Sequence, residues 1–289
     1  MKIHLAHHYG MCFGVRDALR TTHTEAKRRP VTLLGQLVHN EEVDRDLDQL
    51  GVHRGSLDNL TSAATNSVVI SAHGTSDRMR QDWQHTGHQI IDTTCPLVHK
   101  AHDALSLLVN EGYHPVIIGQ ATHIEVRGMT GDHPQASVIL DEADIHQLPD
   151  DARFGVIAQT TQPLDRVLQT IEAIRAARPG TEIRFIDTVC RPTKQRQTAL
   201  DRLCQNCDLI IVIGGSNSNN TRQLTDKAIR HGCRAHRVTN ASELQPEWFQ
   251  NARHVGVTAG TSTLDETVDQ VVTTLRRWSA SQRIDQALT

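Results

Sequence analysis

The sequence contains three copies of one domain-sized unit, and this repeat constrains the fold more than any other feature. Each copy has a short β-rich segment, then a cysteine, then a helical pattern, and the cysteines are Cys12, Cys95 and Cys190. Two copies share the motif Ile-Asp-Thr-x-Cys, which begins at Ile91 and at Ile186. A chain built in this way is expected to fold into three similar parts.

Two further β-rich segments follow in each copy. An apolar run ends in a glycine 23 or 24 residues after the cysteine, at Gly35, Gly119 and Gly214. A later run rich in Val and Ile ends in small polar residues, as in Val68–His73. Short apolar runs that alternate with helical stretches predict βαβ units with parallel strands. Aromatic residues make up only 3% of the chain, which fits the aliphatic core of buried parallel sheets.

The predicted fold is therefore α/β, with three similar small lobes that have mainly parallel sheets in a pseudo-threefold arrangement. The predicted lobes are residues 1–95, 96–190 and 191–280, and residues 281–289 are predicted to form a surface tail. The last helix is predicted from Leu264 to about Trp278, on an apolar stripe of Val and Leu. Ligands of parallel sheets bind beyond the carboxyl ends of the strands, so we expect the three sets of strand ends to converge on one centre.

Composition excludes several classes of protein. A formal charge of −3 gives no indication of binding to nucleic acid or to a membrane surface. No apolar run approaches the roughly 18–20 residues of a membrane span, and the first residues lack the apolar stretch of a signal peptide. We therefore expect a cytoplasmic location, where six cysteines are more consistent with thiols or a metal centre than with disulfides.

The three repeated cysteines are candidate ligands of an iron–sulfur cluster. Each follows a predicted strand and precedes a predicted helix, where the free N–H groups and the helix dipole favour a thiolate. Three such thiolates fit a 4Fe-4S cluster that keeps one iron without a protein ligand, and that iron would be a Lewis acid. Two alternatives remain open: three buried structural cysteines, or zinc held by three thiolates and a histidine.

The other three cysteines indicate no second centre. Cys204 and Cys207 form a C-x-x-C pair, but the pair lies where a helix runs into a strand, whereas redox pairs lie at helix starts. Cys233 is predicted to be a packing residue.

Polar residues recur at the predicted strand ends. Four residues after the repeated glycines stand His39, His123 and Ser218, and Asn219 and Asn220 follow Ser218. His73, Thr160 and Ser262 end the later strands. Glu125 is the only carboxylate in this predicted ring, and we expect it on the same side of an extended segment as His123, two residues away. Histidines, hydroxyls and amides supply the hydrogen-bond donors that a diphosphate needs.

Taken together, these motifs resemble the 4-hydroxy-3-methylbut-2-enyl diphosphate reductases, the family that acts last in the methylerythritol phosphate route to isoprenoids. The likeness covers roughly residues 1–280. It is carried by the following motifs: Cys12-Phe13-Gly14-Val15, Val38-His39-Asn40, Ser71-Ala72-His73-Gly74, Thr94-Cys95-Pro96-Leu97-Val98, His123-Ile124-Glu125-Val126, Gln159-Thr160-Thr161, Cys190, Asn217-Ser218-Asn219-Asn220 and Thr258-Ala259-Gly260-Thr261-Ser262.

The resemblance implies three similar α/β lobes around a central 4Fe-4S cluster, one per chain, with Cys12, Cys95 and Cys190 as its ligands. It implies that the diphosphate substrate is held by six side chains, with Asn219 contributing through its backbone. These six are His39, His73, His123, Ser218, Asn220 and Ser262.

The expected reaction is reductive dehydroxylation of the allylic diphosphate to isopentenyl and dimethylallyl diphosphate. Glu125 is the expected proton donor for the departing hydroxyl, and Thr160 is expected to fix that hydroxyl and help relay the proton. Since the chain has neither the GxGxxG nor the P-loop pattern, we expect an external electron donor such as ferredoxin or flavodoxin.

The chain departs from the family pattern at Thr122, Ile124 and Asn219, where the family usually has Gly, Pro and Ser. These departures leave open a divergent paralogue that acts on another allylic phosphate, or a cluster-dependent dehydratase. A further alternative is a non-enzymatic iron–sulfur or zinc sensor, in which Glu125 and Thr160 would have no chemical role.

Overall fold

The computed structural model describes residues 1–150 and 153–288. The strands are β1 (Lys2–Leu5), β2 (Val31–Leu34), β3 (His53–Gly55), β4 (Ser67–Ile70), β5 (Gln89–Asp92), β6 (His114–Ile118), β7 (Ser137–Ile139), β8 (Phe154–Ala158), β9 (Ile183–Phe185), β10 (Leu209–Ile213), β11 (Arg234–Val238) and β12 (His254–Ala259). The α-helices are α1 (Phe13–Arg28), α2 (Glu41–Gln49), α3 (Asp77–His85), α4 (Pro96–Asn110), α5 (Ile124–Asp132), α6 (Leu164–Ala177), α7 (Arg191–Asn206), α8 (Asn219–Arg230) and α9 (Asp265–Leu288). Short 3-10 helices span Glu142–Gln147, Ala241–Glu243 and Pro246–Phe249.

Within the described residues, these strands form three parallel sheets of four strands. The strand orders are β3-β2-β4-β5, β7-β6-β8-β9 and β11-β10-β12-β1. The order is equivalent in all three sheets, with two central strands and the strand that precedes a cysteine at one edge. The predicted fold class, three similar α/β lobes with parallel sheets, is therefore confirmed.

The central strands are aliphatic because both faces of each sheet are covered. Strand β10 reads LIIVI and is buried at every position. Its alternate side chains enter two different cores: Leu209, Ile211 and Ile213 pack with α9, whereas Ile210 and Val212 pack with α7 and α8. Burying each of these side chains contributes roughly 1.5–3 kcal/mol to folding, so the apolar runs of the sequence select the central strands.

The first strand completes the last sheet. β1 pairs in parallel with β12, with Lys2 opposite His254 and Leu5 opposite Val257. The sequence placed this strand in the lobe of residues 1–95, but its sheet is that of residues 191–280. The two other cysteine-bearing strands also close the sheet of the residues before them, since β5 pairs with β4 and β9 pairs with β8. Each strand that precedes a cysteine is thus an edge strand of its sheet, and β5 and β9 are also the last strands of their sheets along the chain.

The described chain divides into two compact units. One comprises Met1–Cys12, His39–Glu41 and the residues from Arg191 onward, and it contains the sheet of β1, β10, β11 and β12. The other comprises Phe13–Val38 and Glu42–Cys190, and it contains the two remaining sheets. We call them the terminal unit and the central unit.

The last helix is longer than the sequence indicated. α9 runs from Asp265 to Leu288, through most of the predicted tail, whereas Thr289 lies outside the described residues. The prediction of a helix end near Trp278 was wrong because no glycine or proline follows to stop the helix, and residues such as Ala280 and Arg283 favour helix. In the part of the chain that the structure describes, no helix is long and apolar enough to cross a membrane.

Candidate functional site

The three repeated cysteines occupy equivalent positions. Each follows an edge strand of a sheet and precedes a helix that begins at the next residue, as predicted. In each, the cysteine N–H donates to a carbonyl two residues beyond the neighbouring strand: Cys12 to Thr261 (2.9 Å), Cys95 to Ala72 (3.1 Å) and Cys190 to Thr160 (3.0 Å). None of the six cysteines, all within the described residues, is in a disulfide. The backbone around each of the three cysteines is therefore held by an equivalent hydrogen bond.

Aspartates shape two of the cysteine turns, and the sequence argument did not assign them this role. Asp92 Oδ1 accepts from the N–H of Thr94 at 2.9 Å, and Asp187 Oδ1 accepts from the N–H of Val189 at 3.1 Å. Each carboxylate thus closes a local turn two residues long, just before the cysteine. The repeated motif Ile-Asp-Thr-x-Cys was the signal that could have revealed it.

The turn before Cys12 is held in a different way, because that copy lacks the aspartate. Gly10 adopts a left-handed backbone with φ of 68°. The guanidinium of Arg196, a buried residue of α7, donates to the carbonyl of Gly10 and, at 3.0 Å, to that of Pro192. A buried cation therefore stands where the other copies use a short anionic side chain.

Gly14 lies directly against the sulfur of Cys95. A Cβ atom at Gly14 would be 2.4 Å from Cys95 Sγ and 3.1 Å from Cys95 Cβ. The distance to Sγ is far shorter than any non-bonded contact between carbon and sulfur, so only glycine fits beside this thiol. Cys95 caps α4 in an extended conformation without a side-chain hydrogen bond to the helix, so its sulfur is not used for capping.

Glu125 is a buried acid held by a single residue, Thr160. Its side chain is almost fully enclosed, with 2% of the residue exposed. The Thr160 N–H donates to Oε1 at 2.7 Å and the Thr160 hydroxyl donates to Oε2 at 2.9 Å. Burial raises the pKa of the Glu125 carboxyl to about 7, and the two hydrogen bonds from Thr160 act in the opposite direction. A group with this pKa holds a proton at neutral pH and can also release it.

His123 and Glu125 lie at a helix start, so the prediction of an extended segment was wrong. α5 begins at Ile124, and His123 is its N-cap, with Nδ1 accepting from the N–H of Glu125 at 3.2 Å. Because Nδ1 is an acceptor, Nε2 carries the proton of the neutral ring and is a donor. The ring of His73 meets that of His123 edge to face, with centroids 5.5 Å apart. Three of the predicted residues of the central unit are thus neighbours.

The predicted polar residues of the terminal unit also come together. The Ser262 hydroxyl donates to the carbonyl of His39 at 3.2 Å, and Asn40 Nδ2 donates to the carbonyl of Ser262 at 2.6 Å. Ser218 caps α8, with its oxygen accepting from the N–H of Thr221 at 3.3 Å. His39, assigned from sequence to the lobe of residues 1–95, therefore packs with the loops of residues 191–280.

Asn220 is a buried residue of this unit with one unused hydrogen-bond donor among the described residues. Its residue is 3% exposed, and its Oδ1 accepts from the N–H of Thr261 at 3.0 Å. Among the described residues, its buried Nδ2 has no hydrogen-bond partner. A buried donor without a partner costs about 1–3 kcal/mol, which a bound anion would offset.

The three residues that depart from the family pattern make local contacts. Thr122 accepts a hydrogen bond from Gln120 Nε2 at 3.1 Å. Ile124 lines a cavity of about 190 Å³ between α3 and α5, a different setting from that of the Glu125 carboxyl. Asn219 Oδ1 accepts from Arg222 on its own helix at 2.8 Å.

Cys204, Cys207 and Cys233 belong to the core of the terminal unit. Burial raises the pKa of the Cys204 thiol to about 12 and that of Cys207 to about 11. Such thiols carry almost no thiolate at neutral pH and are poor metal ligands or nucleophiles. This agrees with the interpretation of these cysteines as packing residues.

The remaining cysteines fit an iron–sulfur centre better than the alternatives. Cys12, Cys95 and Cys190 are partly exposed, and each stands at the start of a helix, where a thiolate is favoured. Glycine at position 14 leaves space beside the Cys95 sulfur that any other residue would fill. Three parallel sheets with equivalent cysteines, together with a buried acid at one set of strand ends, define a three-lobed α/β protein with candidate thiol ligands.

Comparison with known proteins gives the family. The model of the LytB protein family matches residues 3–276, so the chain belongs to the LytB family. A 4-hydroxy-3-methylbut-2-enyl diphosphate reductase of Geobacter metallireducens is 33% identical over 278 residues, which cover 96% of this chain and 97% of the relative. The predicted resemblance and the prediction of an oxidoreductase are both confirmed.

Two solved structures share the fold over nearly the whole chain. The E-1-hydroxy-2-methyl-but-2-enyl-4-diphosphate reductase from Plasmodium falciparum has a TM-score of 0.87 at 26% identity, covering 94% of this chain and 86% of that one. A structure of (E)-4-hydroxy-3-methyl-but-2-enyl diphosphate reductase, described as the terminal enzyme of the non-mevalonate pathway, has a TM-score of 0.67 at 32% identity. The match covers 96% of this chain and 100% of that one.

Proposed function

We propose that this chain reduces 4-hydroxy-3-methylbut-2-enyl diphosphate to isopentenyl and dimethylallyl diphosphate. In the balanced reaction, the allylic C–O bond breaks, two electrons and two protons are taken up, and water leaves. The names of the relatives support the substrate. Within the chain, the proposal depends above all on the buried pair of Glu125 and Thr160.

That pair is joined directly to a cysteine turn. Thr160 donates its N–H and its hydroxyl to Glu125, and its carbonyl accepts from the N–H of Cys190 at 3.0 Å. One residue thus connects the acid to the backbone of a candidate cluster ligand. A proton donor in this position would be held close to the place where the cluster acts.

Cys12, Cys95 and Cys190 would hold a 4Fe-4S cluster as thiolates. When bound, the cluster would supply electrons one at a time and a Lewis-acidic iron that has no protein ligand. We propose that residues 1–12 complete the lobe of residues 191–280. The three sulfurs would be presented on turns that are held by hydrogen bonds with Asp92, Asp187 and Arg196.

The diphosphate would be bound by histidine, hydroxyl and amide donors. Nε2 of His123 carries a proton in the neutral ring, and the Ser218 hydroxyl can donate while its oxygen caps α8. Asn220 offers a buried N–H donor, and the start of α8 at Asn219 adds backbone N–H groups. His39, His73 and Ser262 complete the proposed set, which contains neither lysine nor arginine.

Glu125 would supply a proton to the departing hydroxyl. With a pKa of about 7, roughly half of the carboxyl groups are protonated at neutral pH, and the acid is strong enough to give the proton up. Without substrate, the Thr160 hydroxyl donates to Glu125 and therefore fixes the position of the carboxyl group. The relay through Thr160 then requires this hydroxyl to turn toward the substrate.

An external one-electron donor such as ferredoxin or flavodoxin is part of the proposal, because reduction consumes two electrons. The location expected from the sequence stays a prediction.

The test is anaerobic turnover with the authentic diphosphate and a reduced dye. Glu125→Gln should lower turnover at least a hundredfold, since general acids contribute about 10²–10⁴-fold, while iron and sulfide content stay at the level of the unchanged chain. Glu172→Gln, at an exposed glutamate of α6, is the matched control and should be fully active. Full activity of Glu125→Gln would remove the proton-donor assignment.

The cluster ligands are tested by metal content. Cys95→Ser should lose iron and sulfide, whereas Cys207→Ser, at a buried cysteine of the core, should retain both. Equal iron content in these two variants would contradict the proposed ligand set, and dye consumption without the diphosphate would contradict the substrate.

A further inference from the structure

Helix α1 presents a basic face to solvent. One side of the helix is exposed throughout and carries Phe13, Arg16, Arg20, Thr24 and Lys27. The opposite side is buried, at Gly14, Ala18 and Thr22. The exposed side therefore combines an aromatic ring at the helix start with three cations at the spacing of successive turns.

The charge of this helix differs from that of the whole chain. Residues 13–29 contain five lysines and arginines but only two carboxylates, whereas the chain as a whole has a net charge of −3. Arg20 pairs with Asp17 at 2.8 Å, yet its side chain remains 77% exposed. With Asp17 and Glu25 both counted, residues 13–29 still carry a net charge of +3, so the potential around the helix is positive.

The same helix covers a cysteine sulfur. Gly14 lies against Cys95 Sγ, since a Cβ atom there would be only 2.4 Å from the sulfur. Phe13, the preceding residue, is 46% exposed and lies on the outer face. The first turn of α1 therefore lies directly beside a candidate cluster ligand.

We propose that the exposed face of α1 is the docking surface for the electron donor, an acidic one-electron carrier protein. This proposal rests on the proposed function, because only a reductase needs such a partner. At each docking the reduced carrier loses one electron to the enzyme. Two dockings and two protons convert the allylic alcohol into the alkene and water.

The chemistry of the face suits a transient redox partner. Such encounters bury little surface and depend on charge more than on apolar area. A cationic stripe raises the association rate of an acidic protein and lets it leave quickly, because the steering weakens as salt increases. The Phe13 ring supplies one apolar contact at the end nearest the Cys95 sulfur.

The test compares two reductants on matched variants. Arg20→Glu reverses a cation of the face, and Arg175→Glu is its control on α6, where Arg175 is also exposed and also pairs with a carboxylate three residues before it. Each variant is driven by a small acidic 2Fe-2S ferredoxin and, separately, by reduced methyl viologen. Binding of the oxidised ferredoxin is measured by calorimetry at low and high salt.

With ferredoxin, Arg20→Glu should lower the second-order rate and the affinity about tenfold at low salt. The difference should vanish at high salt, and the rate with methyl viologen should be unchanged. Arg175→Glu should behave like the unchanged chain with both reductants.

Ferredoxin rates that match the control, or a loss of the same size with methyl viologen, would overturn the docking surface. An unchanged chain that fails to turn over with methyl viologen would refute the proposed function instead. In that case the calorimetric comparison of Arg20→Glu with Arg175→Glu would still decide whether the carrier binds this face.

Discussion

The buried Glu125 carboxyl predicts a specific pH dependence of stability. In the folded chain its pKa is raised from 4.5 to about 7, chiefly by burial. The folded state therefore keeps this proton at pH values where the unfolded chain has lost it. The free energy of unfolding should fall as pH rises from about 4.5 to about 7, and this group should cause no further change above that range.

The magnitude follows from the two pKa values. With 1.36 kcal/mol for each unit of pKa difference, the Glu125 contribution to the free energy of unfolding should fall by about 2.5 kcal/mol between pH 5 and pH 8.5. Glutamine does not titrate, so Glu125→Gln removes this fall while keeping the size of the side chain. The remaining titratable groups contribute equally to both proteins and cancel in the difference.

The assay is urea unfolding of cluster-free, reduced protein at several pH values, for the unchanged chain and for Glu125→Gln. Between pH 5 and pH 8.5, the free energy of unfolding of the variant should rise by about 2.5 kcal/mol relative to that of the unchanged chain. Parallel curves would mean that the Glu125 pKa is close to its ordinary value. The argument for a stored proton would then fail.

Two further predictions concern the groups around the acid and the thiols. Thr160→Val removes a hydrogen bond that lowers the pKa of Glu125, so the pH above which turnover is lost should rise by about 1–2 units; an unchanged or lowered limb in the pH profile would refute the assignment. Gly14→Ala places a Cβ 2.4 Å from Cys95 Sγ, so anaerobic iron and sulfide content should fall to less than half. Gly180→Ala, at a glycine with open space but a φ of 84°, should lower stability through backbone strain and still retain both. Full iron content in Gly14→Ala would show that the Cys95 turn shifts without loss of ligation.

Much of the architecture was open to prediction from local patterns. Apolar runs such as LIIVI at β10 are buried on both faces, and nothing but a covered parallel strand suits them. The strand–cysteine–helix order could be predicted because it recurs three times. The ends of helices were less predictable. For α9, the sequence contains no glycine or proline after Trp278 that would mark where the helix stops.

The roles of single side chains depended on tertiary contacts. The sequence marked Glu125 as an unusual acid, but its raised pKa comes from enclosure, and its partner Thr160 lies 35 positions away. The requirement for glycine at position 14 comes from the sulfur of Cys95, a residue of another helix start. No local pattern contains such contacts.

The sequence by itself determined that three similar α/β parts exist and that each carries one cysteine at a strand end, because repeats and periodicity are local properties of the chain. Only the tertiary structure decided which strands share a sheet. β1 is seven residues from Cys12 but pairs with β12, about 250 residues away. Hydrogen bonding between parallel strands depends on a free sheet edge and matching register rather than on distance along the chain.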